Sequence, residues 1–184
     1  MAHPAASLPD DASLVAGWRR GDEAAAAELM RRHARALAAF LSAAGGRFEE
    51  ELEDLVQEAF FRAFRRIAQF DGRSSFRTWL FTIGRNALRD AARRGKRREI
   101  VPLGEDLVAG GGDPHQWAEA GETEGRIRTA LERLPRMQRE VFVLRAQQGM
   151  EYGEIAVALE TSEGAARVHY HHAVKRLKKS LEDA

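Results

Sequence analysis

The residues that could do chemistry in this chain are cationic and aromatic, and they are concentrated in one stretch. Between Ala59 and Arg98 there are twelve lysines and arginines against two acids, Asp71 and Asp90, a net of +10. Inside that block Phe70 and Phe76 bracket a turn-rich break, Phe70-Asp-Gly-Arg-Ser-Ser-Phe76, that includes Arg73. Arg77, Trp79, Arg85, Asn86, Arg89 and Arg93 follow it. Guanidinium groups bind phosphate and aromatic rings receive unstacked bases, so the combination suits a nucleic acid with an exposed base. A solvated helix face accounts for scattered charge better than for a block this unbalanced.

The stretches on either side of this block have the opposite sign. Met1 to Glu58 holds six basic residues against eleven acids, a net of −5, and Glu99 to Gly125 holds seven acids with no Lys or Arg. The overall charge of +1 therefore conceals a polarised chain. Polarisation of this kind is an electrostatic footprint of binding, not a statement about fold.

The elements that must position these residues read as helices. Ala, Leu, Arg and Glu dominate and β-branched residues are sparse, which favours an all-α protein. Its 184 residues are enough for two small helical domains. A first helix capped by Asp11 or Ser13 carries Leu14, Val15 and Trp18. A second, Glu23 to Ala44, turns Ala26, Leu29, Met30, His33, Leu37, Phe40 and Leu41 to one side and stops at Gly45. His33 on that face reads as a packed side chain. A third helix opens on acids from Glu49 to Asp54 and buries Val56, Phe60, Phe64 and Ile67. Its outward face bears Glu53, Asp54, Gln57, Glu58, Phe61 and Arg62, a surface suited either to solubility or to docking a partner. A fourth helix, capped by Ser74 or Ser75, points Trp79, Leu80, Ile83 and Ala87 inward and its arginines outward.

Residues 99–125 are acidic and rich in Gly and Pro, and read as a flexible linker between a first domain, 11–98, and a second, 126–184. In the second domain a helix ends before Pro135 and another runs towards Gly149. Then Glu151 to Leu159, a Glu160-Thr-Ser turn and a long helix from Glu163, N-capped by Ser162, read as a helix-turn-helix. Ile155, Ala156 and Leu159 face Ala166, Tyr170, Ala173 and Leu177, which leaves Arg167, Val168, His171 and Lys175 outward. An ordinary αα-hairpin is the plainer alternative.

The chain has no Cys, hence no disulfide framework and no thiolate metal site. No apolar run approaches membrane-spanning length and no leader pattern opens the sequence, so the expectation is a cytoplasmic protein without membrane insertion. No cofactor is called for. No Ser/His/Asp order, phosphate-cradling Gly loop or metal-spaced cluster supports an enzyme.

The segments Glu53-Asp-Leu-Val-Gln-Glu-Ala-Phe60, Phe76-Arg-Thr-Trp-Leu-Phe-Thr-Ile83 with Arg85-Asn86, Leu131-Glu-Arg-Leu-Pro-Arg-Met-Gln-Arg-Glu-Val-Phe142 and Tyr152-Gly-Glu-Ile-Ala156 occur in this order. Together they resemble regions 2.2, 2.3 to 2.4 and 4 of a bacterial sigma factor of the extracytoplasmic-function (ECF) group of the sigma-70 family. The resemblance implies a region 2 bundle and a region 4 helix-turn-helix. It implies core RNA polymerase as partner, with Glu53, Asp54, Gln57, Glu58 and Phe61 on the β′ clamp and region 4 on the β flap. It further implies promoter DNA, duplex and melted. The −10 element would meet Phe70, Arg73, Phe76, Arg77, Trp79, Arg85, Asn86, Arg89 and Arg93, the Phe70–Phe76 loop capturing a flipped base. The −35 element would meet Ser162, Glu163, Gly164, Arg167, Val168, His171 and Lys175. An anti-sigma protein that occludes these surfaces is also implied.

The recognition helix departs from the family pattern, because His169 and His172 stand where arginine is common. Imidazoles are only partly charged near neutral pH, which implies weaker phosphate affinity there. A free-standing helix-turn-helix regulator accounts for Glu151 to Lys179 but leaves the acidic third helix and the aromatic loop without a role.

Overall fold

The computed structural model describes residues 9–45, 49–95, 127 and 129–182, and every regular element among them is helical. The acidic linker and the basic run 96–98 lie outside the described residues. Helix α1 (Asp11–Arg19) is capped by Asp10, whose carboxylate accepts from the Ser13 N–H at 2.8 Å. The expected caps, Asp11 and Ser13, therefore sit inside the first turn. Asp11 is freed for a tertiary role: it lies 2.7 Å from His33 Nε2 and accepts from Arg32 at 3.2 Å.

Helix α2 (Glu23–Ala44) starts on Asp22, which accepts from the Ala24 and Ala25 N–H groups, and ends at Gly45 with φ of 122°, a left-handed conformation that suits glycine. Its buried stripe is Ala25, Ala26, Leu29, His33, Leu37, Phe40, Leu41 and Ala44. Met30 is 39% exposed, contrary to expectation, because it lies one residue round the helix from the i, i+4 row that meets its neighbours.

Helix α3 (Glu49–Arg65) packs on α2 and on α4 (Phe76–Gly95). Leu55, Ala59, Phe60 and Ala63 form its buried row, continued by Ile67 in the short 3-10 turn Ile67–Gln69, while Val56 and Phe64 are half-buried. The rings of Phe40 and Phe81 stack in parallel 5.3 Å apart where α2 meets α4. Gly84 lets these helices close, since a Cβ there would sit 2.8 Å from Leu37 Cδ1.

In the second half a helical segment, 129–132, precedes α5 (Arg136–Phe142). The expected straight run towards Gly149 instead widens into a π-helical turn, Val143–Gln147. Helix α6 (Tyr152–Leu159) opens on a reciprocal Glu151/Glu154 capping box, and α7 (Glu163–Glu182) on Ser162, whose hydroxyl accepts from the Ala165 N–H at 3.1 Å. Ile155, Ala158 and Leu159 pack towards Ala166, while Ala156 is only half-buried.

The two halves are not separate bodies here. Val141, Leu144, Met150, Ile155, Ala158 and Leu159 join the same apolar cluster as Leu29, Leu37, Phe40, Leu80 and Phe81. Helix α4 is thereby covered on two sides, by α2 and α3 and by α6.

Candidate nucleic-acid and docking surfaces

The outward face of α3 follows from its amphipathic spacing. Glu53, Asp54 and Gln57 are exposed, Glu58 is half-buried, and Phe61 keeps 56% of its surface in water. Arg62 anchors the face to its neighbour: Nε donates to Glu58 at 2.6 Å and Nη1 to Asp90 of α4 at 2.8 Å. The Arg62 hydrogen bond, aided by Arg93, holds the Asp90 carboxyl below its usual range. Between α3 and the end of α4 lies an open groove lined by Asp54, Gln57, Glu58, Phe61, Leu88 and Arg94. A large exposed aromatic beside a groove is the feature here that departs from an ordinary solvated helix face.

The aromatic loop is tied down at both ends. Arg19 donates to the carbonyls of Ile67 and Phe70, and Ser75 caps α4 through its hydroxyl on the Thr78 N–H at 3.1 Å. Phe70 and Trp79 are half-buried with ring centroids 5.1 Å apart, while Arg73 is exposed and pairs with Asp71. Phe76 is 2% exposed and packs against His33, Phe70 and Trp79. It supports the other two rings from beneath and offers no face to an incoming base in this arrangement.

The arginine row of α4 is where sequence expectation and structure part. Arg93 is exposed, but Arg85 is buried, and Arg77 and Arg89 are half-buried under the second half of the chain. Arg85 Nε donates to Glu140 at 3.0 Å and Nη1 to the Leu159 carbonyl at 2.8 Å. Arg89 donates to Glu160 at 2.6 Å and Arg77 to the Gln148 carbonyl at 2.9 Å. Thr78 and Ser75 donate to Glu154 at 3.1 and 3.2 Å. Removal from water lowers the Arg85 pKa from its ordinary value, opposed by the Glu140 charge. The Arg89 hydrogen bond lowers that of Glu160. Three carboxylates of the second half thus occupy the polar side of α4. The row looked outward because periodicity separates polar from apolar sides and is blind to a polar side that a distant segment covers.

On α7, Arg167, Val168, His171 and Lys175 all face water, as the helix-turn-helix reading requires, and Val168 is 53% exposed. His172 is exposed, whereas His169 is half-buried with a buried Nδ1, so the two rings have different surroundings. The turn into α7 passes through Glu160 at φ of 51°, a left-handed conformation that disfavours a non-Gly residue.

Comparison with known proteins places these surfaces in a family. Residues 29–98 match Sigma-70 region 2 and residues 124–177 match Sigma-70 region 4. The chain is 31% identical over 179 residues to the RNA polymerase sigma factor NccH of Alcaligenes xylosoxydans xylosoxydans, covering 95% of this chain and 96% of that one. It is 33% identical to the RNA polymerase sigma factor CnrH of Cupriavidus metallidurans, with coverage of 95% and 96%. Among solved structures, CnrH in complex with the cytosolic domain of CnrY aligns with a TM-score of 0.68 at 29% identity, over 94% of this chain and 97% of that one. The matches to region 2 and region 4, in that order, and relatives spanning nearly the whole chain show that it belongs to the sigma-70 family, within the ECF group.

Proposed function

We propose that this sigma factor acts as a cytoplasmic, non-catalytic subunit that binds core RNA polymerase, directs it to promoters through −35 and −10 elements, and promotes their melting. The observation that carries this reading is the coexistence in one chain of an acidic face with an exposed aromatic on α3 and a basic exposed face on α7. Each lies within the segment that matches the corresponding sigma region. Glu53, Asp54, Gln57, Glu58 and Phe61 dock on the β′ clamp, and the upstream side of region 4 meets the β flap. Arg167, Val168, His171 and Lys175 enter the −35 major groove, where a valine methyl suits thymine and an arginine suits guanine or phosphate. Ser162, Glu163 and Gly164 set the N-terminal end of that helix against the duplex.

On the −10 side, Phe70 and Trp79 receive the unstacked base while Arg73, Asn86 and Arg93 face the strand. Unstacking costs a few kcal/mol, which stacking of about 1–3 kcal/mol per base and charge pairing can offset. Arg77, Arg85 and Arg89 reach DNA only once Glu140, Glu154 and Glu160 have left α4. Productive binding therefore takes the two halves apart. An anti-sigma protein acts at the same surfaces, by covering them or by favouring the closed arrangement.

The test is transcription in vitro with purified core polymerase, with and without this protein, on genomic fragments from its own organism. New discrete start sites that depend on the protein are expected. Binding to DNA without polymerase, with no new starts from competent core, would show a free-standing regulator instead.

A further inference from the structure

Helix α1 lies ahead of the segment that matches region 2, yet its last residue grips the aromatic loop from the side. The Arg19 guanidinium donates through Nε and Nη2 to the Ile67 carbonyl at 3.2 and 3.1 Å, and Nη2 donates again to the Phe70 carbonyl. One planar group thus spans the 3-10 turn Ile67–Gln69, from its first residue to the residue that follows it. A guanidinium presents its donors in a fixed fork, so two carbonyls held by one fork have little freedom to shift against each other. Phe70 is where the loop begins, and the course of its backbone sets where its ring lies.

Arg19 can place Phe70 only because α1 is anchored to the elements that carry the other rings. Beside it, Trp18 Nε1 donates to the Phe64 carbonyl at 3.3 Å, and the two rings pack at 5.2 Å. At the far end of the helix, about 12 Å away at 1.5 Å of rise per residue, stands Asp11. Its carboxylate lies 2.7 Å from His33 Nε2 and accepts from Arg32 at 3.2 Å. The buried His33 ring packs 5.7 Å from Phe76, the ring beneath Phe70 and Trp79. One short helix therefore joins the backbone at Phe70 to the platform under Trp79. Within the loop, the Asp71 carboxylate accepts from the Arg73 N–H at 3.0 Å and Gly72 turns the chain at φ of 75°. These features stay inside the loop and do not set its position on the protein.

We propose that Arg19 is a positioning residue for base capture: it touches no nucleotide, and by holding the Ile67 and Phe70 carbonyls it fixes the Phe70 ring against Trp79 before the base arrives. The proposal rests on the reading of Phe70 and Trp79 as the receivers of the unstacked base. It adds the group that sets their geometry in advance, which leaves less ordering to occur on binding.

The test uses the full chain assembled with core polymerase and forked duplexes from a promoter that the wild-type holoenzyme transcribes. In each fork one non-template nucleotide of the −10 element is made abasic. The readout is the ratio of affinities for the intact and the abasic fork, which a smaller folded or core-bound fraction leaves unchanged because it lowers both alike. Loss of the captured base is expected to weaken wild-type binding about five- to a hundredfold. Arg19→Gln should cut that ratio to about a third or less, with the slope of log affinity against log salt unchanged. Arg19→Lys keeps the charge without the fork and should behave like Arg19→Gln. A wild-type ratio in either variant overturns the positioning role. So does a slope lowered by about one in Arg19→Gln, which would make Arg19 itself a phosphate contact. If base removal matters at no position in the wild type, Phe70 and Trp79 capture no base, and that reading falls together with the proposal.

Discussion

Arg85 of α4 and Glu140 of α5 form an ion pair at 3.0 Å with side chains 4% and 0% exposed, joining two halves of the chain across 55 positions of sequence. A pair this dry gains little net stability, because desolvation offsets most of the attraction, but removing one member leaves a charge stranded. Glu140 also accepts from Arg136 on its own helix, so it is already compensated when the halves separate, whereas Arg85 gains water. Glu140→Ala should therefore favour separation over unfolding. The expected readout is a rise in radius of gyration by solution scattering with helix content unchanged. An Arg85→Leu/Glu140→Leu double variant should stay compact, and its expansion would show that the pair holds the halves together by more than avoiding a stranded charge.

The second tether, Arg89 to Glu160, carries a pH signature. The Arg89 hydrogen bond holds the Glu160 carboxyl below its ordinary value of 4.5, and Glu154 is also lowered. For Glu154 burial works the other way, but the Glu151 N–H and the Thr78 and Ser75 hydroxyls outweigh it. A group whose folded pKa is depressed gives its stabilisation above the unfolded value and loses it as pH falls through the folded one. The closed arrangement should therefore hold from neutrality down to the ordinary carboxylate range and loosen below it. Scattering or interdomain energy transfer followed through that range checks this, and Glu160→Gln should make the transition shallower.

Glu160 offers a cleaner separation of roles, because its backbone and side chain make opposite contributions. At φ of 51° a glycine would relieve the turn by about 1 kcal/mol, while loss of the carboxylate frees Arg89. Glu160→Gly should thus leave the helix-turn-helix at least as stable and weaken the contact with α4. If it lowers thermal stability of the region 4 helices instead, the carboxylate contributes more to the turn than its geometry indicates.

Much of this organisation can be read from the sequence for one physical reason: amphipathic spacing reports which side of a helix meets apolar neighbours. That placed the stripe through Leu29, Leu37 and Phe40, the exposed face of α3 and the outward set on α7. It misplaced Met30 by one position and offered Asp11 or Ser13 as the cap of α1, where Asp10 serves. Arg85 is a different kind of miss. Its burial depends on Glu140 and Leu159, far along the chain, and no local pattern separates a polar side facing solvent from one facing a partner. Glu140, Glu154 and Glu160 were unremarkable helix and turn acids until the fold brought them to α4. Gly84, inside α4, proves to be a close approach to α2 that no local pattern marks.

Gly84→Val tests that approach. The added atoms begin 2.8 Å from Leu37 Cδ1 and 3.5 Å from Leu41 Cδ2, both on fully buried side chains. Overpacking of this kind costs about 1–3 kcal/mol, set against a gain of well under 1 kcal/mol in helix propensity. Denaturant unfolding should show a lowered midpoint with unchanged slope. A stabilised variant would mean that Leu37 and Leu41 can repack freely, and that the α2/α4 distance is not set by Gly84.

Asp54 and Trp79 divide folding from function in the first half. Asp54 is exposed beside the α3/α4 groove and its side chain makes no hydrogen bond with another described residue, so Asp54→Ala should change stability by no more than about 0.5 kcal/mol. Trp79 packs on Phe70 and Phe76 at 5.1 and 6.1 Å, and Trp79→Ala should cost about 3 kcal/mol. Thermal melting of both proteins alongside capture by core polymerase distinguishes the roles. Asp54→Ala is expected to melt like the wild type and bind core several-fold more weakly. Trp79→Ala is expected to melt early and, below its transition, to bind core normally, because Trp79 lies away from the α3 face. Equal losses of melting temperature in both would remove the distinction, and normal core binding by Asp54→Ala would move the docking site off that face.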